Sequence, residues 1–368
     1  MIKTTTKEAV LNMDLVGAGL VIAALVCYLL PLQQGGTTKP WRSSTVIGLL
    51  IGFVLLLVVF ILHQLWLQER AMMVPRLIKQ RRTISLAMFN FFMAGSFFTF
   101  VYYLPIYFQV IGHYSAIGSA VQNLPLILGS TVFGIVGGVF MVPVGYFHVF
   151  LSGGAVLVAV GGGLLCSLQV SLDTGKHVGY QLLVGVGAGL CFQAPVMVGQ
   201  AFSPPADVAS TTAILLCEWK PPALFFVILY YPVINETDIA FFQPVFQTMG
   251  GTMLISAAQS IFTNSLVNTL NSAGFQNTSF VLSSGTTDLG SVLTPDELAV
   301  VIPAYLTGLR NAWAMATACG GAALISSFAT RFENIKNAPA QKNSSVPEAR
   351  GNDEDSKTST PDESPGEK

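Results

Sequence analysis

The residues of this 368-residue chain that are able to do chemistry are amides, phenols and hydroxyls set inside apolar runs. YYLPIYFQ supplies Tyr102, Tyr103, Pro105, Tyr107 and Gln109; CFQAPVMVGQ supplies Gln193, Pro195 and Gln200; QTMGGTMLISAAQSIFTN supplies Gln247, Gln259, Ser260 and Asn264. An amide facing hydrocarbon is costly, so these side chains are expected to point inward. Two readings stand side by side. The amides tie helices together by hydrogen bonds, or they line a polar, aromatic-walled cavity for an uncharged or weakly charged organic molecule. On the second reading the lining is Tyr103, Tyr107, Gln193, Gln200, Gln247 and Gln259, with Gln193 and Gln259 as the leading pair. No nucleophile–base set or phosphate-binding loop accompanies them, and an enzyme is not expected. GVGAGL (185–190) lies inside an apolar run with no strand before it, so it is not a dinucleotide loop. The four histidines are scattered, and the five cysteines form no CxxC pair. Neither a metal site nor any other cofactor is expected.

The elements that must position these groups are long and apolar. Between Thr83 and Leu172 there is no charged residue. Charged residues make up 10% of the chain and mean hydropathy is +0.61, whereas soluble domains carry roughly 25% charged residues. About 20 apolar residues cross a bilayer as a helix. The predicted fold class is therefore an all-α polytopic membrane protein. Eight spans are expected at approximately 15–33, 46–67, 85–109, 121–143, 150–171, 179–202, 249–269 and 303–329. Pro105 should kink the third near one end. No Asp, Glu, Lys or Arg lies deep in any of them, and Arg310 falls near an end of the last. GSTVFGIVGG (129–138) and GVGAGL place small residues on one helical face, either for close packing or for faces that slide during transport.

Lys and Arg set the orientation, because basic residues stay on the cytoplasmic side. With the N-terminus inside, thirteen basic residues fall on inner segments and three, Lys39, Arg42 and Lys176, on outer ones. Both termini are expected to be cytoplasmic. The net charge of −1 gives no footprint for nucleic acid. The expected layout is a cytoplasmic segment at 1–14, two linking helices and a basic loop at 15–82, and a six-helix bundle at 83–335. An outer loop at 270–302 carries the glycosylation triplet Asn277-Thr278-Ser279. The polar tail at 336–368 cannot bury a core and is expected to be disordered.

ERAMMVPRLIKQRRTISLAMFNFFMAGSFFTFVYYLPIYFQVIGHYSAIGSAVQNLPLIL, GYQLLVGVGAGLCFQAPVMVGQAF and TMGGTMLISAAQSIFTN, together with LRNAW (309–313), resemble the fungal fourteen-span drug:proton antiporters. These include the toxin efflux pumps of the major facilitator superfamily. The resemblance runs to about Asn334. It implies a plasma-membrane exporter of small hydrophobic organic compounds, such as secondary metabolites, toxins or drugs, driven by proton antiport between two six-helix bundles. The eight spans correspond to the family's seventh through fourteenth. The N-terminal six-span half, with the coupling groups expected in it, has no counterpart here. The alternative expectation is a non-transporting remnant, or a half-transporter that needs a partner.

One departure from the family pattern lies at 217–245. CEWKPPALFFVILYYPVINETDIAFFQPV stands between TTAILL and FQTMGGTM, where the family runs almost directly on. Its apolar core is too short to span a bilayer. The favoured reading is an intron translated through: Cys-Glu-Trp can be encoded with a donor-like GTGAGT, and Pro244-Val245 with an acceptor-like AG. Splicing would leave TTAILLFFQTMGG in frame. The competing reading is a cytoplasmic loop that dips into the membrane surface.

Overall fold

The computed structural model describes residues 14–67, 81–170, 173–201, 238–275, 278–283, 293–330 and Asn334. Among them the regular structure is helical. The order is α1 (Leu15–Gln34), α2 (Ser44–Leu67), α3 (Arg81–Val110), α4 (Ala116–Gln122), α5 (Leu124–Val144), α6 (Phe147–Leu165), α7 (Thr174–Ala201), α8 (Asp238–Ser272), α9 (Thr278–Ser283) and α10 (Pro295–Ala329). Among the described residues six helices are apolar and long enough to cross a membrane: α1, α2, α3, α5, α6 and α10. With α7 and α8, of 28 and 35 residues, packed among them, the chain is an all-α polytopic membrane protein.

Helix α3 is the hub. It packs against α8 and α10, while α7 packs against α5 and α6, and α6 against α10. Two-thirds of its most apolar window (67%) is buried, against 17% for α1 and 11% for α2. The first two helices therefore form a hairpin outside the bundle, with Ile22, Val54 and Leu62 exposed, as suits side chains facing lipid. Asp14 caps α1 by accepting from the Gly17 N–H. Its carboxylate also takes the Gln64 amide of α2 at 2.5 Å, with His63 Nδ1 3.6 Å away. At the other end Gly36 turns the chain with φ +78°, a conformation that costs glycine nothing.

The small-residue faces are contact faces. A Cβ on Gly185 or Gly189 of α7 would meet the carbonyls of Leu126 and Ser130 on α5. A Cβ on Gly187 would lie 2.6 Å from the Gly154 carbonyl of α6. Alternate glycines thus let α7 approach two neighbours at once, which is how helices pack where lipid removes the hydrophobic drive.

Several ends differ from expectation. Helix α10 begins at Pro295, not at 303, because Thr294 and Glu297 form a capping box and Pro295 follows the cap. The stretch 270–302 is therefore not one loop: it holds the end of α8, the helix α9 and the first turns of α10. Helix α3 runs on through Pro105 to Val110. Helix α8 starts at Asp238, so the last residues of the atypical stretch 217–245 are its first turns; 217–237 lie outside the described residues, as do most of the tail, the basic loop and Asn277.

The lengthened α10 also moves Arg310 away from a helix end, to the middle of a 35-residue helix. Its charge is met by the end of a different helix. Arg310 Nε and Nη2 donate to the Leu168 carbonyl just beyond α6, at 3.2 and 2.7 Å. At the opposite face Arg81 Nε donates to the Ala329 carbonyl at the end of α10, at 3.0 Å. Both cations sit where a helix C-terminus is partially negative.

Candidate functional site

Tyr103 and Gln259 meet. The buried Tyr103 hydroxyl on α3 donates to Gln259 Oε1 on α8 at 2.7 Å. Gln259 Nε2 in turn donates to Thr263 Oγ1, one turn along, at 3.3 Å. Both groups project from helices that pack along their length, and the bond satisfies the hydroxyl of the buried Tyr103 with the half-buried amide. Phe262 walls the pair, 5.4 Å from the Tyr103 ring and 5.8 Å from Tyr305 of α10. Gly308 makes room for it, since a Cβ there would lie 3.0 Å from the Phe262 ring. The result is a layer of two phenols, a phenyl ring and an amide contributed by three helices.

A second layer lies one turn along α3. Tyr107 is fully buried and its hydroxyl donates to the Gln169 carbonyl at 2.9 Å, beside the Leu168 carbonyl held by Arg310. Trp313 of α10 packs on Tyr107 at 5.6 Å, and its indole N–H has no hydrogen-bond partner among the described residues. Tyr107, Arg310 and Trp313 therefore converge where α6 ends.

The other candidates lie elsewhere. Gln193 of α7 is exposed and rests beside Gly138 of α5. Gln247 is half-buried in the third turn of α8. Gln200 is in the last turn of α7 and its side chain lies outside the described residues. Depth separates them further. Tyr103 stands ~33 Å along α3 from Arg81, while Gln193 stands ~28 Å along the antiparallel α7 from its opposite end, at 1.5 Å per residue. One pair forms, and the remaining amides are spread through the depth of the bundle.

Sequence reading missed Phe262, Tyr305, Arg310 and Trp313 as neighbours of the pair. The first, second and fourth look like ordinary apolar content of a span. The signal for α10 lay in the spacing of YLTGLRNAW, where Tyr305, Gly308 and Trp313 recur at helical intervals. Asn264 was noted only as a polar group. It accepts from Trp41 Nε1 at 3.2 Å and donates to the Gly35 carbonyl at 3.1 Å, latching the α1–α2 turn to α8.

The fold and the interior polar groups define a polytopic α-helical membrane protein. The comparisons make the class specific. The family described as fungal trichothecene efflux pump matches residues 2–165. An MFS-type transporter of Pestalotiopsis microspora is 38% identical over 93% of this chain and 58% of its own length. A protein named as a probable efflux pump of Penicillium aethiopicum is 36% identical over 89% of this chain and 54% of its own length. An MFS-type transporter of Trichoderma harzianum is 37% identical over 88% of this chain and 51% of its own length. Over about nine-tenths of its length the chain is similar to these fungal transporters of the major facilitator type and efflux pumps. It spans about half the length of the curated relatives it matches.

Proposed function

We propose that this chain supplies the C-terminal bundle and linking hairpin of an efflux transporter that exports a small organic compound (a secondary metabolite, toxin or drug). The observation that carries the reading is the Tyr103–Gln259 pair walled by Phe262 and Tyr305. Flat apolar rings with a small number of placed polar groups suit an amphipathic aromatic molecule. The named relatives are transporters and efflux pumps, which favours transport over enzymatic chemistry. Tyr103, Tyr107, Gln193, Gln200, Gln247 and Gln259 serve as successive polar stations along the bundle rather than as one pocket. Eight helices cross the membrane, α7 and α8 completing the set, with both termini in the cytoplasm and the plasma membrane as the site of action.

Alternating access needs two units that move about a shared site. Activity therefore belongs to the assembly of this bundle with an N-terminal six-helix half, and proton antiport uses groups in that half. The experiment is substrate efflux from membrane vesicles by a two-bundle form, with Gln259→Ala and Gln193→Ala compared at equal membrane abundance. Gln259→Ala should lower efflux, and collapsing the pH gradient should abolish it. Unchanged efflux in both variants would make the amides purely structural.

A further inference from the structure

An apolar cavity of about 220 Å³ lies between the α1–α2 hairpin and the bundle. Val21 and Leu25 of α1, Phe53 and Leu57 of α2, and Met249 and Met253 of α8 form most of its wall, and no lining residue is polar. We propose that this cavity is a binding site for one acyl chain of a membrane phospholipid, which fills the joint between hairpin and bundle.

Depth is the first argument. Phe91, at the back of the cavity, stands ~15 Å along α3 from Arg81, and Phe60 ~10 Å from the end of α2. Both depths fall inside a hydrocarbon core ~30 Å thick. Chemistry is the second. A buried water needs two to four polar partners, and this wall offers none, so water does not fill it. Left empty, the lining side chains would forfeit their dispersion contacts on one side. Continuity is the third. Val21, Leu25, Phe53 and Leu57 are only half-buried, and Ile22, Val26, Val54 and Val58 beside them are exposed. The cavity thus opens onto the stripe that faces lipid. Its volume accommodates roughly seven methylene groups, each about the size of a water molecule at ~30 Å³.

The attachment of the hairpin explains why the joint is open. Among the described residues its polar ties to the bundle include the Asn264 latch at the turn and the Tyr28 hydroxyl donating to the Met253 carbonyl at 3.1 Å. Around the cavity the hairpin and the bundle meet through apolar side chains. A flexible chain can pack there without matching any hydrogen bond.

The test uses the full chain reconstituted in phosphatidylcholine vesicles whose acyl chains carry a mid-chain photoreactive diazirine. After irradiation, labelled residues are mapped by mass spectrometry. Labelling of Met249, Met253 and Phe53 is expected to exceed that of Val54 and Val58 several-fold. Val21→Trp and Leu57→Trp, which fill the cavity from opposite walls, should each remove the excess. Labelling of Ile61 and Leu62 should persist and reports correct insertion. Three results overturn the proposal: labelling of the wall no greater than that of the exposed stripe, labelling unchanged by both filling variants, or crosslinks at the wall to a protein segment in place of lipid.

Discussion

Replacing Gly187 by alanine should loosen the contact of α6 with α7, and the structure fixes by how much. The added Cβ would lie 2.6 Å from the Gly154 carbonyl and 2.9 Å from the Val158 nitrogen, both backbone atoms of α6. Ordinary contact begins at 3.4 Å, so the helices must part by about 0.8 Å. No side chain can rotate to relieve the overlap. Overpacking of this kind costs roughly 1–3 kcal/mol. That outweighs the intrinsic gain of alanine over glycine in a helix, at most ~1 kcal/mol. Gly153→Ala is the matched control: it lies next to Gly154 in α6, and a Cβ there meets nothing within 4 Å. It should be neutral or slightly stabilising. The assay is reversible unfolding in mixed micelles, followed by steric trapping or helical signal, on the two variants and the parent. The net cost is then up to about 2 kcal/mol, a loss of up to roughly 30-fold in the folding equilibrium for Gly187→Ala. Equal stability of the two variants would refute the argument that backbone approach, and not the glycine residues themselves, holds α7 in place.

Tyr103→Phe removes the donor to Gln259 Oε1 and should cost about 1–3 kcal/mol by leaving a half-buried acceptor unmet, read in the same unfolding assay. Arg310→Met strips two bonds from the Leu168 carbonyl; a loss of ~1.5–3 kcal/mol is expected, and an unchanged midpoint would show that the cation is idle. Asn264→Ala should release the turn at Gly35 and Trp41, seen as faster hydrogen exchange there with no change in α5. Thr294→Ala breaks the capping box and should cost ~0.5–2 kcal/mol, with exchange rising at residues 296–298.

The helices were legible because a bilayer demands long apolar runs, and α1 and α2 start and stop within two residues of the expected limits. Their continuation beyond the membrane was not, because hydropathy says nothing of a capped polar helix such as the start of α10. The glycines of α5 and α7 were legible as a contact face for the same reason that lipid favours small residues. The candidate site was only half legible. Polarity inside a span marks a residue as inward-facing, but it does not name its partner: Tyr103 and Gln259 are 156 residues apart. Nor does it say how deeply each amide is buried: Gln193 is exposed in this chain and Gln259 half-buried. The partner of Arg310 was not legible, because it is a carbonyl at the end of α6 and carries no formal charge.

The two arginine attachments have a mechanical consequence. Along α10, Arg310 and Ala329 are ~28 Å apart, close to the thickness of the hydrocarbon core. Helix α10 is thus pinned to α6 near one surface and to α3 near the other. A beam fixed at both supports cannot tilt by itself. Rocking of α10 away from α3 or α6 would break one of these attachments, so the two ties couple the three helices.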